Sequence, residues 1–310
     1  MQIEPQFGFT YDAVLEISNA AINNGFSTLW FSDHFMLDKD ATDKILLDPW
    51  LLMTALARDN RQIRLGSLVF CNSYRPPGLH AKMAATLDLL SDGRLEFGIG
   101  AGWKEIEYNA YGYEFPDAHT RINQLAEALQ IIRGIWVNDK FSFEGEHYTV
   151  DDIVSFPKPL QSPHPTIWIG TMYGRKRMLE VTAKYGDGIN VAWAYTAEQC
   201  SKMFSRMDEF AKKYDRDPNE IKRSVGFWTR CFESVDEMES AIIEGAEKRK
   251  VSIDDYRKRI TSAMWGTCEM LVEKLQAYEK LGVSHAILML PSESEKSQIE
   301  MIGNSVIKKI

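Results

Sequence analysis

Residues 63–102, IRLGSLVFCNSYRPPGLHAKMAATLDLLSDGRLEFGIGAG, contain one complete strand–helix–strand unit. The β-rich run 63–70 is followed by a helical pattern over 76–90, and Ser-Asp-Gly at 91–93 ends that helix before a second β-rich run, 94–99. Two neighbouring strands joined by a helix run parallel, because an antiparallel pair needs only a short turn. The stretch therefore predicts a parallel sheet covered by helices.

The same alternation continues along the rest of the chain. Helices are predicted to begin at caps: Asp48 precedes a proline, and Thr196 and Ser234 each have Gln or Glu three residues later, as in a capping box. Six further β-rich runs alternate with the helical patterns, at residues 1–6, 27–32, 166–170, 188–191, 224–232 and 285–290.

Residues 139–165 interrupt the alternation. The stretch FSFEGEHYTV at 141–150 is typical of a hairpin with Gly145 at its turn, and it follows the fourth helix, predicted over 120–137. Eight strand–helix units favour a closed barrel over an open doubly wound sheet, which usually has fewer strands. We therefore predict an α/β fold, a (β/α)₈ TIM barrel with an insertion segment after the fourth helix, as one domain over residues 1–310.

Composition and charge argue against several classes of protein. The formal net charge of −8 argues against nucleic acid as the main partner, and no apolar run approaches the ~18 residues of a membrane span. The first ten residues, MQIEPQFGFT, have neither the basic nor the apolar region of a signal peptide. The cysteines form no Cys-x-x-Cys pair, which suits a reducing cytoplasm: Cys71, Cys200, Cys231 and Cys268.

An ionisable pair, Asp33-His34, follows the predicted second strand directly. Active sites of barrels lie at the carboxyl ends of the strands, and an imidazole there can exchange a proton near neutral pH. Asp33 is then expected to orient the histidine ring or to bind a cofactor. The alternative is that Asp33 caps a turn and His34 is a wall residue.

Two glycine-containing segments follow other strands. In Gly98-Ile-Gly-Ala-Gly-Trp, Trp103 occupies the place of the third glycine of a dinucleotide fingerprint, so we reject a dinucleotide fold on this motif. Trp103 is expected to stack on a ligand or to cover the barrel mouth, and Glu105 and Glu107 are expected to be solvated. Residues 170–175, followed by a helix start, are either a phosphate cradle or a short loop with a basic solvated face.

No metal site is predicted. The chain has no His-x-His and no His-Glu-x-x-His, and five isolated histidines are expected to be structural or exposed: His80, His119, His147, His164 and His285. A Gly-x-Ser-x-Gly elbow and a P-loop are absent as well, which argues against an α/β-hydrolase and a P-loop nucleotidase.

Much of the chain resembles the luciferase-like monooxygenase superfamily, and most closely its branch of F420-dependent oxidoreductases. The resemblance rests on GFSTLWFSDHF, DPWLLMTALA, the run from IRLGSLVFCN to GAGWKEIEYNAYGYEFP, FPKPLQSPHPTIWIG, and GTCEMLVEKLQAYEKLGVSHAILML. It implies a barrel with an insertion, dimeric in many members, that binds F420 or FMN at the carboxyl ends of the strands.

The resemblance also implies roles for particular residues. In relatives that use F420, an aspartate and a histidine after the second strand lie beside the deazaflavin, and these match Asp33 and His34. A non-prolyl cis peptide that backs the ring falls at Leu68–Val69. Other residues implied in cofactor binding are Cys71, Asn72, Gly100, Gly102, Trp103, Gly170, Thr171, Met172, Gly174 and Arg175.

We therefore predict an oxidoreductase that transfers a hydride between F420, at C5, and a small organic substrate, with His34 exchanging the proton. Trp193 is expected on the substrate side of the pocket. An FMN-dependent monooxygenase is the alternative enzyme, and a non-catalytic cofactor-binding protein is the alternative from another class. Sugar-phosphate dehydrogenases that use F420 have a glutamate where this chain has Trp103, so that substrate is not supported. We expect a cytoplasmic homodimer without nucleic-acid or membrane partners.

Overall fold

The computed structural model describes residues 1–193, 195–291 and 295–310. Within them the strands are β1 (Gln2–Ile3), β2 (Thr28–Phe31), β3 (Arg64–Ser67), β4 (Phe70–Cys71), β5 (Leu95–Gly100), β6 (Phe141–Glu144), β7 (Thr149–Ile153), β8 (Ile167–Thr171), β9 (Gly188–Val191), β10 (Lys222–Phe232), β11 (Met264–Thr267) and β12 (Val283–Met289). The α-helices are α1 (Tyr11–Asn23), α2 (Pro49–Asp59), α3 (Pro77–Leu90), α4 (Glu105–Tyr111), α5 (Ala118–Val137), α6 (Lys176–Tyr185), α7 (Ala197–Lys213), α8 (Val235–Arg249), α9 (Ile253–Ile260), α10 (Cys268–Glu279) and α11 (Glu295–Ser305).

Eight strands form a closed parallel barrel, in the order β1, β2, β3, β5, β8, β9, β10 and β12. The sheet closes because β12 pairs with β1, where Met289 lies opposite Gln2. The short strand β4 continues the line of β3 and also pairs with β5. Each of the eight β-rich runs in the sequence overlaps one barrel strand, so the predicted (β/α)₈ TIM barrel is confirmed.

The helix caps predicted from the sequence are present. The side chains of Asp48, Thr196 and Ser234 each accept a hydrogen bond from a backbone N–H in the first turn of α2, α7 and α8. These caps fix where each helix leaves the preceding loop. No helix within the described residues is long and apolar enough to cross a membrane.

The hairpin β6–β7, the helix α4 and an insertion after β10 lie outside the eight-unit pattern. The antiparallel hairpin β6–β7 directly follows α5, the predicted fourth helix, as the sequence indicated. The short helix α4 and the strand β11 were not predicted. Strand β11 pairs with residues 229–232 of β10, beyond the stretch in which β10 belongs to the barrel. Helices α8 and α9 connect these two strands, so a second insertion lies beside the barrel mouth.

The barrel interior is filled by aromatic side chains that need glycine neighbours. Trp30 and Trp168 are buried, with their ring centroids 6.1 Å apart in an edge-to-face arrangement. A Cβ on Gly66 would lie 2.5 Å from the ring of Trp30, and a Cβ on Gly188 would lie 2.5 Å from the ring of Trp168. The glycine inside the third strand therefore makes room for a core tryptophan.

Gly98 offers a test of this close packing. A Cβ at Gly98 would lie 1.9 Å from the backbone oxygen of Ser67, which cannot move aside as a side chain could. We expect Gly98→Ala to lower the free energy of unfolding by about 3 kcal/mol, measured by chemical denaturation. Gly78→Ala, in α3, is the matched control, because its Cβ would have an ordinary 3.4 Å contact with the side chain of Ile153. Equal stability of the two variants would contradict the barrel packing described here.

Candidate active site

A cavity of about 490 Å³ opens at the carboxyl ends of the barrel strands. Trp193, which was expected on the substrate side, also lines it. Twelve of the fourteen residues predicted for the site line this cavity: Asp33, His34, Leu68, Val69, Cys71, Gly100, Gly102, Trp103, Gly170, Thr171, Met172 and Arg175.

The other two predicted residues, Asn72 and Gly174, do not line the cavity. Asn72 is buried, and its side-chain amide lies 3.2 Å from the hydroxyl of Tyr148 in the β6–β7 hairpin. The backbone N–H of Gly174 donates to the hydroxyl of Thr171 at 3.2 Å. Both residues thus brace the loops around the cavity, Asn72 from the hairpin side and Gly174 within the loop after β8.

Leu68 and Val69 line the cavity, and the part of its wall formed by these two residues is called the floor below. The peptide between them is cis, as predicted. The side chain of Val69 lies against two glycines: a Cβ on Gly100 would be 2.8 Å from one of its methyl groups, and a Cβ on Gly170 would be 2.7 Å from the other. The two glycines therefore create the space for an apolar floor.

Asp33 is buried beside this floor and is held by two donors. Its Oδ2 accepts a hydrogen bond from the backbone N–H of Cys71 at 3.0 Å and one from the Nη1 of Arg75 at 2.7 Å. Burial raises the pKa of Asp33, and the Arg75 guanidinium offsets part of that increase. Its Oδ1 has no partner within the described residues. Asp33 is therefore hydrogen-bonded to residues that follow the third strand. It does not cap a turn after the second strand, which was the alternative.

His34 and Glu107 form a hydrogen-bonded pair. The Nδ1 of His34 lies 2.9 Å from the Oε2 of Glu107, and the side chain of His34 remains 16% exposed. Within the described residues, Nε2 of His34 has no hydrogen-bond partner. The ring of Trp103, itself 60% exposed, lies edge-on to the imidazole with the centroids 5.8 Å apart.

Glu107 is fully buried, so the expectation that it is solvated was wrong. Helix α4 turns Glu107 inward, whereas Glu105 is exposed as expected. The carboxylate accepts five hydrogen bonds, from His34 Nδ1, Tyr74 hydroxyl, the backbone N–H groups of Phe35 and Met36, and Lys104 Nζ.

These donors determine the charge of Glu107 and the tautomer of His34. Burial alone raises the pKa of Glu107, but the hydrogen bonds from His34, Tyr74 and the Met36 amide outweigh it and lower the pKa to about 2. The carboxylate is therefore ionised at neutral pH and can only accept hydrogen bonds. Neutral His34 then carries its proton on Nδ1, which leaves Nε2 as a proton acceptor.

The low pKa of Glu107 makes stability depend on pH. Because the folded-state pKa of about 2 lies below the ordinary 4.5, the ionised carboxylate stabilises the fold above pH 4.5, and this contribution is lost as the pH falls towards 2. The difference corresponds to roughly 3 kcal/mol. We expect the stability of the wild type relative to Glu107→Gln to shrink as the pH is lowered through this range, in denaturant titrations. If the free energies of unfolding of the two proteins changed with pH in parallel, this would contradict the conclusion that the carboxylate is ionised at neutral pH.

The loop after β8 presents a cation and a helix N-terminus to the same cavity. Arg175 is the N-cap residue of α6, and its guanidinium lies 5.4 Å from the centre of the Tyr173 ring. The first backbone N–H groups of a helix have no acceptor within it and favour an anion. Arg177 instead donates to Asn123 at 2.7 Å and does not line the cavity.

These features suit a flat, partly polar ring that carries an anionic arm. The floor at Leu68–Val69 is apolar, and two buried acceptors that line the cavity, Asp33 Oδ1 and Asn190 Oδ1, have no partner within the described residues. Such unpaired groups cost stability unless a ligand bonds them. Arg175 and the backbone N–H groups at the N-terminus of α6 can bind the anionic arm. Within the described part of the chain, no cluster of His, Cys, Asp and Glu could hold a metal ion.

The family model for luciferase-like monooxygenases matches residues 2–285. The chain belongs to this family. Among curated luciferase-like relatives, an F420-dependent glucose-6-phosphate dehydrogenase of Amycolatopsis mediterranei (strain U-32) is 24% identical over 321 residues, covering 96% of this chain and 94% of the relative. The oxygenase component of a flavin-dependent trigonelline monooxygenase of Acinetobacter baylyi is 21% identical over 328 residues, covering 96% and 89%.

Solved structures agree with the luciferase-like fold. An F420-dependent secondary alcohol dehydrogenase in complex with an F420–acetone adduct superposes with a TM-score of 0.81 at 18% identity, covering 98% of this chain and 97% of that one. The F420-dependent tetrahydromethanopterin reductase of Methanopyrus kandleri gives a TM-score of 0.80 at 17% identity, covering 100% and 98%.

Proposed function

We propose that this chain is an oxidoreductase that transfers a hydride between F420 and a small organic substrate, on one barrel domain over residues 1–310. The observation that carries the proposal is the His34–Glu107 pair at the cavity mouth, where an imidazole held by an ionised carboxylate leaves Nε2 free to exchange a proton. The curated and structural relatives include several F420-dependent enzymes, which supports the choice of this cofactor.

The cofactor's ring is proposed to lie on the apolar floor at Leu68–Val69. Asp33 would bond a polar edge of the ring through its unpaired Oδ1. Arg175 and the N-terminus of α6 would bind the phosphate of the arm. The remaining proposed contacts come from the strand ends around the floor: Cys71, Gly100, Gly102, Trp103, Gly170, Thr171 and Met172.

His34 is proposed to move the proton that accompanies hydride transfer. When bound, F420 supplies or accepts a hydride at C5. In the oxidation of an alcohol, Nε2 of His34 takes the hydroxyl proton, and in the reverse direction it returns that proton to the carbonyl oxygen. The Glu107 carboxylate holds Nδ1–H and stabilises the imidazolium, so Glu107 is a positioning residue.

Two tryptophans are proposed to enclose the substrate. Trp103 stands beside His34, and Trp193 follows β9 on the cavity wall. The ring of Trp193 lies so close to Gly226 that a Cβ there would be 2.6 Å from it, which fixes the ring against β10. Exclusion of water strengthens the interaction of His34 with a developing charge.

An FMN-dependent monooxygenase is the second candidate, because the same cavity suits an isoalloxazine ring and a relative uses flavin. Two assays separate the candidates. The first follows loss of the visible absorbance of oxidised F420 without oxygen, with a panel of small primary and secondary alcohols that includes both neutral and anionic members. The second follows oxygen uptake with reduced FMN. We expect alcohol-dependent F420 reduction and only background oxygen uptake, whereas oxygen uptake without any F420 reduction would overturn the proposal.

We also propose that the protein is a cytoplasmic homodimer that binds no nucleic acid. The four cysteines are free and buried, as suits a reducing compartment. The net charge of −8 disfavours binding to nucleic acid. Light scattering of the purified protein tests the dimer, and a monomeric mass would contradict it.

A further inference from the structure

A second cavity, of about 810 Å³, adjoins the first. Four residues line both cavities: Glu4, Phe7, Trp228 and Met289. The outer wall of the second cavity is built by α8, α9 and β11, the insertion that follows β10. A molecule in this second cavity can therefore extend towards the cofactor site. Its volume lies within the range of ordinary small-molecule sites.

Four basic side chains line the second cavity: Arg230, Lys248, Arg249 and Arg259. None of them forms an ion pair or a hydrogen bond within the described residues. Two basic neighbours of Arg259 on α9 do form ion pairs. Arg257 pairs with Glu239, and Lys258 Nζ lies 3.7 Å from the carboxylate of Asp255. Among the described residues, the cations that line the cavity are thus the ones without an ion pair, and their positive charge is available to a ligand.

Aromatic rings stand beside these cations. The guanidinium of Arg230 lies 5.1 Å from the ring centre of Phe232 and 5.8 Å from that of Trp265. Trp228, which borders both cavities, lies two residues before Arg230 on β10, so the two side chains share one face of the strand. Stacking on rings holds a guanidinium in place while its donors remain free to bind a carboxylate or a phosphate.

Among the described residues three carboxyl groups also line the cavity, fewer than the four cations. Glu4 is buried and accepts hydrogen bonds from Gln2 at 2.7 Å and from Ser32 at 2.8 Å, as well as from Gln6. Burial raises the pKa of Glu295 to about 8, so this carboxyl is mostly neutral at pH 7. The third carboxyl, Glu244, is exposed to solvent.

We propose that the second cavity binds the substrate, and that the substrate is an organic anion with an apolar or aromatic body. The body lies against Trp228 and Trp265, and its carboxylate or phosphate is bound by Arg230 and Arg259. The group that reacts then projects past Trp228 towards His34. The identification of this ligand as the substrate rests on the proposed function, whereas the anion site itself does not depend on it.

Calorimetric titration of the protein without cofactor tests the anion site. The probes are benzoate, phenyl phosphate and neutral benzamide, which share an aromatic body and differ in charge. We expect saturable binding of at least one anion, with benzamide about tenfold weaker or more. The stronger anion tells whether the site takes a carboxylate or a phosphate. Equal binding of benzamide, or no saturable binding of either anion, would overturn the proposal.

Variants locate the anion. Arg230→Gln and Arg259→Gln are each expected to weaken anion binding about tenfold or more. Arg257→Gln, on the same helix as Arg259 but outside the cavity, is the matched control and should leave the affinity unchanged. Arg259 lies on the surface of α9, so its variant tests the site even where Arg230→Gln fails to fold. An affinity unchanged in Arg259→Gln contradicts its assignment to the site.

The same variants separate this inference from the proposed function. If the second cavity held the anionic arm of the cofactor instead, Arg230→Gln and Arg259→Gln would weaken F420 binding and F420 would displace benzoate. We expect neither effect. Anion binding in a protein that does not bind F420 would contradict the proposed function and leave the anion site standing, whereas F420 binding without anion binding would contradict only the anion site.

Discussion

Glu107→Ala is expected to lower the free energy of unfolding by about 3–5 kcal/mol, measured by chemical denaturation. The wild-type carboxylate is fully buried and accepts five hydrogen bonds. Its removal leaves the buried hydroxyl of Tyr74 and the half-buried backbone N–H groups of Phe35 and Met36 without this acceptor. Glu105→Ala is the matched control on α4, and its exposed side chain predicts a change within about 0.5 kcal/mol.

Glu107→Gln separates positioning from stability. The amide oxygen can accept from Phe35, Met36 and Lys104, which places the NH₂ group against His34 Nδ1. His34 Nδ1 must then accept, so the ring proton moves to Nε2 and proton exchange with a substrate is lost. At neutral pH we expect the Gln variant to lose no more than the roughly 3 kcal/mol that the carboxylate charge contributes and to stay folded, while kcat falls and cofactor affinity stays unchanged. A Gln variant with wild-type kcat would show that Glu107 has only a structural role.

His34→Ala is expected to reduce turnover with F420 about 10²–10⁴-fold. The imidazole is the group proposed to exchange the proton, and Glu107 holds it by a 2.9 Å hydrogen bond. The affinity for F420, measured by fluorescence titration, should change little, because the floor at Leu68–Val69 and the loop to Arg175 stay intact.

The control for this variant is His119→Ala, since His119 is exposed at the start of α5 and does not line the cavity. We expect it to retain full turnover. If His34→Ala kept turnover within about threefold of the wild type, His34 would be a wall residue of the cavity. The proton would then have to come from another group or from water.

The sequence predicts the barrel and much of the cavity because both follow from local patterns. Alternating strands and helices place every strand end at one face, so Asp33-His34 and the glycine segments could be assigned to one mouth without knowledge of any contact. The cis peptide at Leu68–Val69 came from the family resemblance and was confirmed, although nothing in the local sequence demands it.

Glu107 escaped prediction because its burial depends on contacts that are distant along the chain. Its partner His34 is 73 residues away, and α4 has only seven residues, too few for a clear apolar period. The available signal was Gly112, which ends α4 with a positive φ of 77° and marks the preceding segment as a helix.

The second cavity escaped prediction for a related reason. Its cations come from β10, α8 and α9, and in the sequence they look like an ordinary charged surface. Only the pairing of β11 with residues 229–232 brings Trp265 beside Arg230 and folds the two helices over the barrel mouth. Charge alone could not distinguish Arg259, which faces the cavity, from Arg257, which pairs with Glu239.

The most direct measurement for the proposed hydride transfer is a side-by-side fluorescence titration of the purified protein with oxidised F420 and with FMN. We expect saturable binding of F420, with FMN about tenfold weaker or more. Preferred binding of FMN would move the protein to the oxygen-using part of its family, and binding of neither cofactor would contradict the proposed function as a whole.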